Sequence, residues 1–204
     1  MKVRLVSVLA ILVGTVAASP STLDPKVGKV MALTRNTRAT FSLFAWNIIT
    51  PKGGEQYGQW SAEFHSGNLH RVESGDDRIV ADCAKMTASY FDPRKGQIID
   101  DNKAARVACG MADLKPIVRG AYLGRAKGRF GAVERIRIED GDTIRTYSVD
   151  RRGAIVAQTI LSPTNDHRLT LEAREVRGWV PQGIFSRESL DHSAVPEKFK
   201  SPPG

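Results

Sequence analysis

The amino-acid sequence predicts a mainly β protein of the α+β class: a curved open antiparallel sheet, or half-barrel, with a short N-terminal helix and a small helical insert covering the concave face. The first sign is texture. From Ala39 onward, β-branched and aromatic residues are punctuated by Gly, Asn and Asp, the pattern of a meander of hairpins. The second is alternation. Ile136 and Ile138 alternate with Arg135 and Arg137, and Tyr147 and Val149 with Thr146 and Ser148, so these strands carry one apolar and one wet face. The third is a shortage of helix. Two helical segments, each about 10 Å across, cannot hide the apolar face of about nine or ten strands, and a concave sheet around an apolar pocket under a small lid resolves that mismatch.

The elements follow in order. Lys2 and Arg4 precede an apolar run over residues 5–16, broken only by Ser7, Gly14 and Thr15, and Val16, Ala17 and Ala18 supply small residues for cleavage. This is the three-part pattern of a secretory signal over residues 1–18, and the run is shorter than the roughly 20 residues of a stable membrane anchor. An uncleaved anchor is the alternative. The remainder suits one β-rich domain over 19–191. Asp24 and Pro25 fit a helix N-cap and first helical position, with Val27, Val30 and Met31 on one face, which predicts a helix near 25–34. Strands are expected near 39–49, 57–66, 68–73, 78–82 and 87–91, separated by Gly-bearing turns around Gly53, Gly67 and Gly75. Asn102 is the expected cap of a helical turn through Ala104, Ala105 and Val107 that ends at Gly110, with a second helical piece around 116–123. The clearest hairpin spans 135–147, turning at Asp140 and Gly141, and a further strand is expected at 154–161. Residues 192–204 hold Pro196, Pro202 and Pro203 without apolar periodicity, which predicts a flexible or surface-hugging tail.

The formal net charge of +8 favours anionic partners. The basic residues are dispersed along the chain, at Arg35, Arg38, Arg71, Arg94, Arg119, Arg125, Arg135, Arg137 and Arg151, with acids between them. A nucleic-acid footprint is more concentrated, so no nucleic-acid partner is expected. Cys83 and Cys109 are the only cysteines. In an exported chain they are expected to pair, a pairing inferred from parity and compartment, with two buried free thiols as the alternative.

Residues 41–98 then resemble a known family. They include F-S-L-F-A-W-N-I-I-T followed by a Gly-bearing strand, N-L-H-R-V-E-S, D-R-I-V-A-D-C and Y-F-D-P-R-K-G-Q-I. The order is similar to the early strands of the periplasmic lipoprotein carriers of Gram-negative bacteria, the LolA-like proteins. Gly58, Arg71, Asp82, Tyr90 with Asp92 and Pro93, and Gln97 occupy matching places. The stretch Y-S-V-D-R-R-G-A-I-V-A-Q-T-I, residues 147–160, looks like the family's late hairpin, and Phe185 falls where members end in a Phe-bearing strand. Cys83 departs from the family's usual Gly, which suggests a bridge from the early sheet to the insert around Cys109. The resemblance implies a half-open barrel closed by helices whose apolar interior shields acyl chains, and a periplasmic location.

The expected function is therefore an exported soluble binding protein for acyl chains or lipidated proteins, carrier-like or lipid-sensing, with lipid or lipidated protein as partner. Envelope proteins and an anionic membrane surface are further expected partners. A non-catalytic envelope interaction module, or a hydrolase of an acidic polymer, are the alternatives. Trp46, Trp60, Phe64, Tyr90, Ile136, Ile138, Tyr147 and Val149 are the candidate cavity residues, although core packing draws on the same residue types. His65 and His70 flank a turn and could oppose each other as metal ligands, but zinc needs a third protein ligand and none is evident; a solvated pair is expected. The acids Asp76 with Asp77, Asp100 with Asp101, and Glu139, Asp140 and Asp142 lie in predicted turns, where Asx chemistry accounts for them. No nucleophile elbow, phosphate-binding loop or His-Glu-x-x-His motif is present, so no enzyme activity, cofactor or metal is expected.

Overall fold

The computed structural model describes residues 22–110, 117–141 and 143–203; the predicted signal over 1–18 lies outside the described residues. A two-residue strand β1 (Thr22–Leu23) leads into helix α1 (Pro25–Asn36), whose N-cap Asp24 accepts a hydrogen bond from the Lys26 amide at 2.8 Å. The meander then runs β2 (Phe41–Thr50), β3 (Tyr57–Ser66), β4 (Leu69–Ser74), β5 (Asp77–Asp82), β6 (Thr87–Asp92) and β7 (Gln97–Asp100). Helix α2 (Asn102–Ala108) interrupts it before β8 (Ile117–Gly128), β9 (Gly131–Asp140), β10 (Thr143–Asp150), β11 (Ile155–Ser162) and β12 (His167–Arg177). The sheet order is β1-β8-β9-β10-β11-β12-β2-β3-β4-β5-β6-β7, antiparallel throughout except for the short parallel pairing of β1 with β8. Because β1 and β7 end the order, the sheet is open, a curved half-barrel.

Several local expectations change. The stretch expected as a second helical piece around 116–123 is instead the start of β8, while Pro116 itself lies outside the described residues. The physical reason is pairing: β8 runs antiparallel to β9 from Ile117 opposite Asp140 to Gly128 opposite Gly131, and ladder hydrogen bonds override a weak helical preference. Asp101, not Asn102, caps α2, accepting from the Lys103 amide at 2.8 Å. Strand β12, not expected from the sequence, carries Leu169, Leu171 and Ala173 in alternation until a bulge between Ala173 and Glu175 shifts the register. Among the described residues after β12 there is no strand, so Phe185 lies in an irregular segment and not on a Phe-bearing strand.

Alternation sends successive side chains to opposite faces, and both faces of the central strands are apolar. On the concave face, Val27 and Val30 of α1 pack on Ile136, Ile138, Tyr147 and Val149. Gly120 of β8 permits the approach: a Cβ there would lie 2.3 Å from Leu23 Cδ1 and 3.2 Å from Val27 Cγ1. Gly153, at φ +88°, does the same at the other end of α1, where a Cβ would sit 2.6 Å from the Leu33 carbonyl. Ala105 and Ala108 of α2 pack on Ala81 and Ala88, and the Cys83–Cys109 disulfide joins the helix end to the β5–β6 turn. A bridge closing a loop of sequence separation 26 stabilises by about 3–4 kcal/mol in the chain-entropy model.

The convex face of β2 and β3 is covered by the C-terminal segment, the region expected as a tail. Phe44, Ala62 and Phe64 meet Ile184, Val195 and Phe199, with the Phe44 and Phe199 rings stacked at 4.4 Å. Arg71 and Glu73, 1% and 0% exposed, form an ion pair at 2.6 Å beneath this strap. Arg71 donates to the carbonyls of Ile184, Ser189 and His192, Glu73 accepts from the Ser193 hydroxyl and the Ala194 amide, and Arg78 Nε donates to the Leu190 carbonyl. A chain without periodicity is thus held by side chains that consume its backbone acceptors and donors. Glu73→Ala strands the Arg71 charge in the interior and is expected to cost about 3–5 kcal/mol in urea denaturation. It should also open residues 184–199 to limited proteolysis; a loss under about 1 kcal/mol would show that the pair does not hold the strap.

Candidate functional site

A cavity of about 570 Å³ lies on the concave side, where α1, α2 and the sheet meet. Its walls are apolar side chains from four directions: Met31 of α1, Val107 of α2, Val72 of β4, and Ile117, Ile138, Ile155 and Ile160 of β8, β9 and β11. Val107 is 54% exposed, so the cavity has an apolar lip on the bridged helix. Between these walls stand a few polar groups, Arg35, Glu63, His70, Asp140, Arg145, Tyr147 and Gln158. Strand register explains the convergence. Glu63 sits opposite Val72, Arg145 opposite Ile138 and Ile160, and Tyr147 opposite Ile136 and Gln158, all on the same face.

The charged groups bear the marks of this setting. Burial, with Asp150 nearby, pushes the Glu63 carboxyl up to about 7 from an ordinary 4.5; the exposure it keeps is to the cavity it lines. Burial and the neighbouring His65 push His70 down to about 4, only partly opposed by the hydrogen bond to the Ala108 carbonyl. A carbonyl only accepts, so the His70 Nδ1–H donates to Ala108 and the His65 Nδ1–H to Ala39. Both rings are buried, with centroids 4.0 Å apart, which corrects the expectation of a solvated pair: the short turn brings both side chains inward, His70 against the end of α2 and His65 against Phe41. No group of three His, Cys, Asp or Glu side chains among the described residues could hold a metal ion. Asp140 is also more than a turn residue. It is buried, Oδ2 lies 3.0 Å from Arg145 Nη2, and among the described residues neither Asp140 Oδ1 nor Arg145 Nε has a hydrogen-bond partner.

The candidate residues divide between the two faces. Ile138 and Tyr147 line the cavity, Ile136 and Val149 pack beneath α1, and Tyr90 lies on β6 opposite Ile79. Trp46, Trp60 and Phe64 do not reach the cavity. They point to the convex face, where Phe64 and Trp60 join the core under the C-terminal segment and Trp46 covers Gly58. Parity is the cause: in β2 and β3 the largest rings occupy the positions facing away from α1 and α2. Met31, Glu63, Val72, Arg145, Ile155 and Ile160 line the cavity without having been singled out. Their signal lies in register, which pairing partners far apart in the chain decide.

The open sheet, its two concave-face helices and the cavity between them agree with the half-open barrel closed by helices that the resemblance implies. No family model and no curated protein sequence matches the chain. Among solved structures, an uncharacterized conserved protein from Thermus thermophilus aligns at TM-score 0.54 and 8% identity, over 86% of this chain and 97% of that one. A LolA superfamily protein from Nitrosomonas europaea aligns at TM-score 0.46 and 9% identity, over 80% and 99%. A chain of the Pseudomonas aeruginosa MucA/MucB complex aligns at TM-score 0.47 and 10% identity, over 83% of this chain and 62% of that chain. At such identities the likeness is one of fold. No helix among the described residues is long and apolar enough to cross a membrane.

Glu63 yields a pH test. Its folded value of about 7 lies above the ordinary 4.5, so the folded state binds the extra proton between these limits. Stability therefore falls as pH rises through this window, and the deficit is complete above about 7. Glu63→Gln removes it, and thermal denaturation should show the variant more stable than the parent by about 1–2 kcal/mol at pH 8 and equal at pH 4. Equal stability at both pH values would mean that Glu63 is solvated.

Proposed function

We propose that this chain is an exported, periplasmic binding protein that shelters an acyl chain of a lipid or lipidated protein in the concave cavity and performs no covalent chemistry on it. The observation that carries this reading is the cavity itself, walled by aliphatic side chains from both helices and the sheet and carrying a few convergent polar groups. Its volume falls within the roughly 300–1,000 Å³ of sites that take one small ligand, which favours one acyl group at a time over a multi-chain anchor. Each buried methylene contributes about 0.8 kcal/mol, so a single chain supplies ample affinity without charge recognition. The Asp140–Arg145 ion pair lines the cavity beside the aliphatic walls, which places a carboxylate and a guanidinium near a polar head group. Export rests on the N-terminal charge, apolar run and small residues, and the disulfide is what an oxidising compartment permits.

Titration of the protein with a dansylated undecanoic acid tests the site. Probe fluorescence should rise and shift to the blue, and Val107→Asp, at the exposed lip on α2, should weaken binding about tenfold by placing a charge beside the chain. Native mass spectrometry of detergent-free material from an envelope fraction should show an adduct whose extract contains an acyl group. A probe that binds the parent and Val107→Asp alike would remove the cavity from the reading.

A further inference from the structure

The convex face of β8 to β12 is a second surface with its own chemistry, on the opposite side of the sheet from the cavity. Register aligns its residues in rows across the strands. One row runs Ala121, Arg137, Thr146, Thr159, Thr170 and Ile48. A second places Arg135 beside Ser148 and Ala157, and a third begins with Arg119 opposite Glu139 and ends at Leu161 opposite Arg168. The C-terminal segment that covers β2 and β3 packs on none of these four arginines, and Arg119, Arg135, Arg137 and Arg168 are exposed.

Among the described residues, Arg137 alone of the four is paired, with Glu139 at 3.0 Å. Arg119, Arg135 and Arg168 have no ion pair or hydrogen bond from their side chains among the described residues, and neither do the hydroxyls of Thr146, Thr159 and Thr170. Glu172 is the one exposed acid without a pair on these rows among the described residues, so the face keeps a positive excess with its donors uncommitted. Strands are spaced about 4.8 Å apart, which makes the threonines a ladder of hydroxyls between guanidinium groups.

We propose that this convex face docks a linear anionic polysaccharide, a polymer of carboxylate-bearing sugars. Guanidinium forks pair with carboxylates in bidentate fashion, and the threonine hydroxyls both donate to and accept from sugar hydroxyls. The shape selects the polymer over a bilayer: a planar membrane touches only the crest of a convex sheet, whereas a flexible chain follows its curvature. Docking there leaves the cavity on the other face accessible. The inference goes beyond the cavity reading and stands without it.

Calorimetric titration with polygalacturonate, neutral dextran and phosphatidylglycerol vesicles, at low and high salt, tests it. Polygalacturonate should bind, more weakly at high salt, and dextran should not. Arg135→Ser combined with Arg137→Ser should weaken polygalacturonate binding about tenfold with an unchanged thermal transition. If that double variant unfolds early, Arg168→Ser on β12 decides, and must weaken polygalacturonate binding at an unchanged thermal transition. No binding of polygalacturonate, binding indifferent to the arginines, or binding to vesicles without polygalacturonate would each overturn the proposal.

Discussion

An open sheet whose central strands are apolar on both sides has to be covered twice, and most of this architecture follows from that constraint. In β2, Phe41, Leu43 and Ala45 face one way while Phe44 faces the other, and all four are buried. The curl of the sheet, which brings Phe130, Val133, Ala154 and Val156 over these β2 residues, and helices α1 and α2 farther along meet the first need, and a C-terminal strap meets the second. The strap has only two short 3-10 turns, Glu188–Asp191 and Glu197–Phe199, which leave other backbone carbonyls to be satisfied, and a buried carbonyl without a donor is costly. Arg71, Glu73 and Arg78 supply those partners from within the sheet, so charges that would destabilise a bare β-strand become the means of closing it.

The same division creates the cavity. Two short helices cannot tile the concave face of a curved sheet, and the space left between them is walled by the aliphatic residues they do not reach. The disulfide fixes α2 at the rim, and the neutral His70 beneath it ties its last turn to β4 through the Ala108 carbonyl. Glu63 and His70 are shifted in opposite senses by the same burial, because desolvation disfavours whichever form is charged. Both are held toward neutrality, in keeping with the aliphatic walls around them.

The uncovered convex half obeys a different logic. Where neither helix nor strap lies above the sheet, the outward positions include Arg119, Arg135, Arg168 and three threonines, whose side-chain hydrogen-bonding capacity is unspent among the described residues. One sheet thus presents an apolar concavity and a cationic back.

Sequence alone determined the mainly β class, the open meander, helix α1 from its Asp24 cap and Pro25, and the 135–147 hairpin, although Asp140, expected in its turn, is paired with Thr143 at the end of β9. These depend on neighbours close in the chain, on period-2 alternation and on turn chemistry, all of which are local. The cysteine pair was expected with free thiols as the alternative, and the disulfide was decided by the fold. The half-open sheet was legible through its turn and strand order. Tertiary structure alone decided which face each aromatic ring takes: Trp46, Trp60 and Phe64 carry the residue types of a pocket yet face away from it. It also decided that residues 117–128 are strand, that 192–203 pack against the sheet, and that Glu63, Asp140 and Arg145 meet at one cavity. The physical reason is that these outcomes depend on register and on pairing between distant segments, where a shift of one residue exchanges inside for outside.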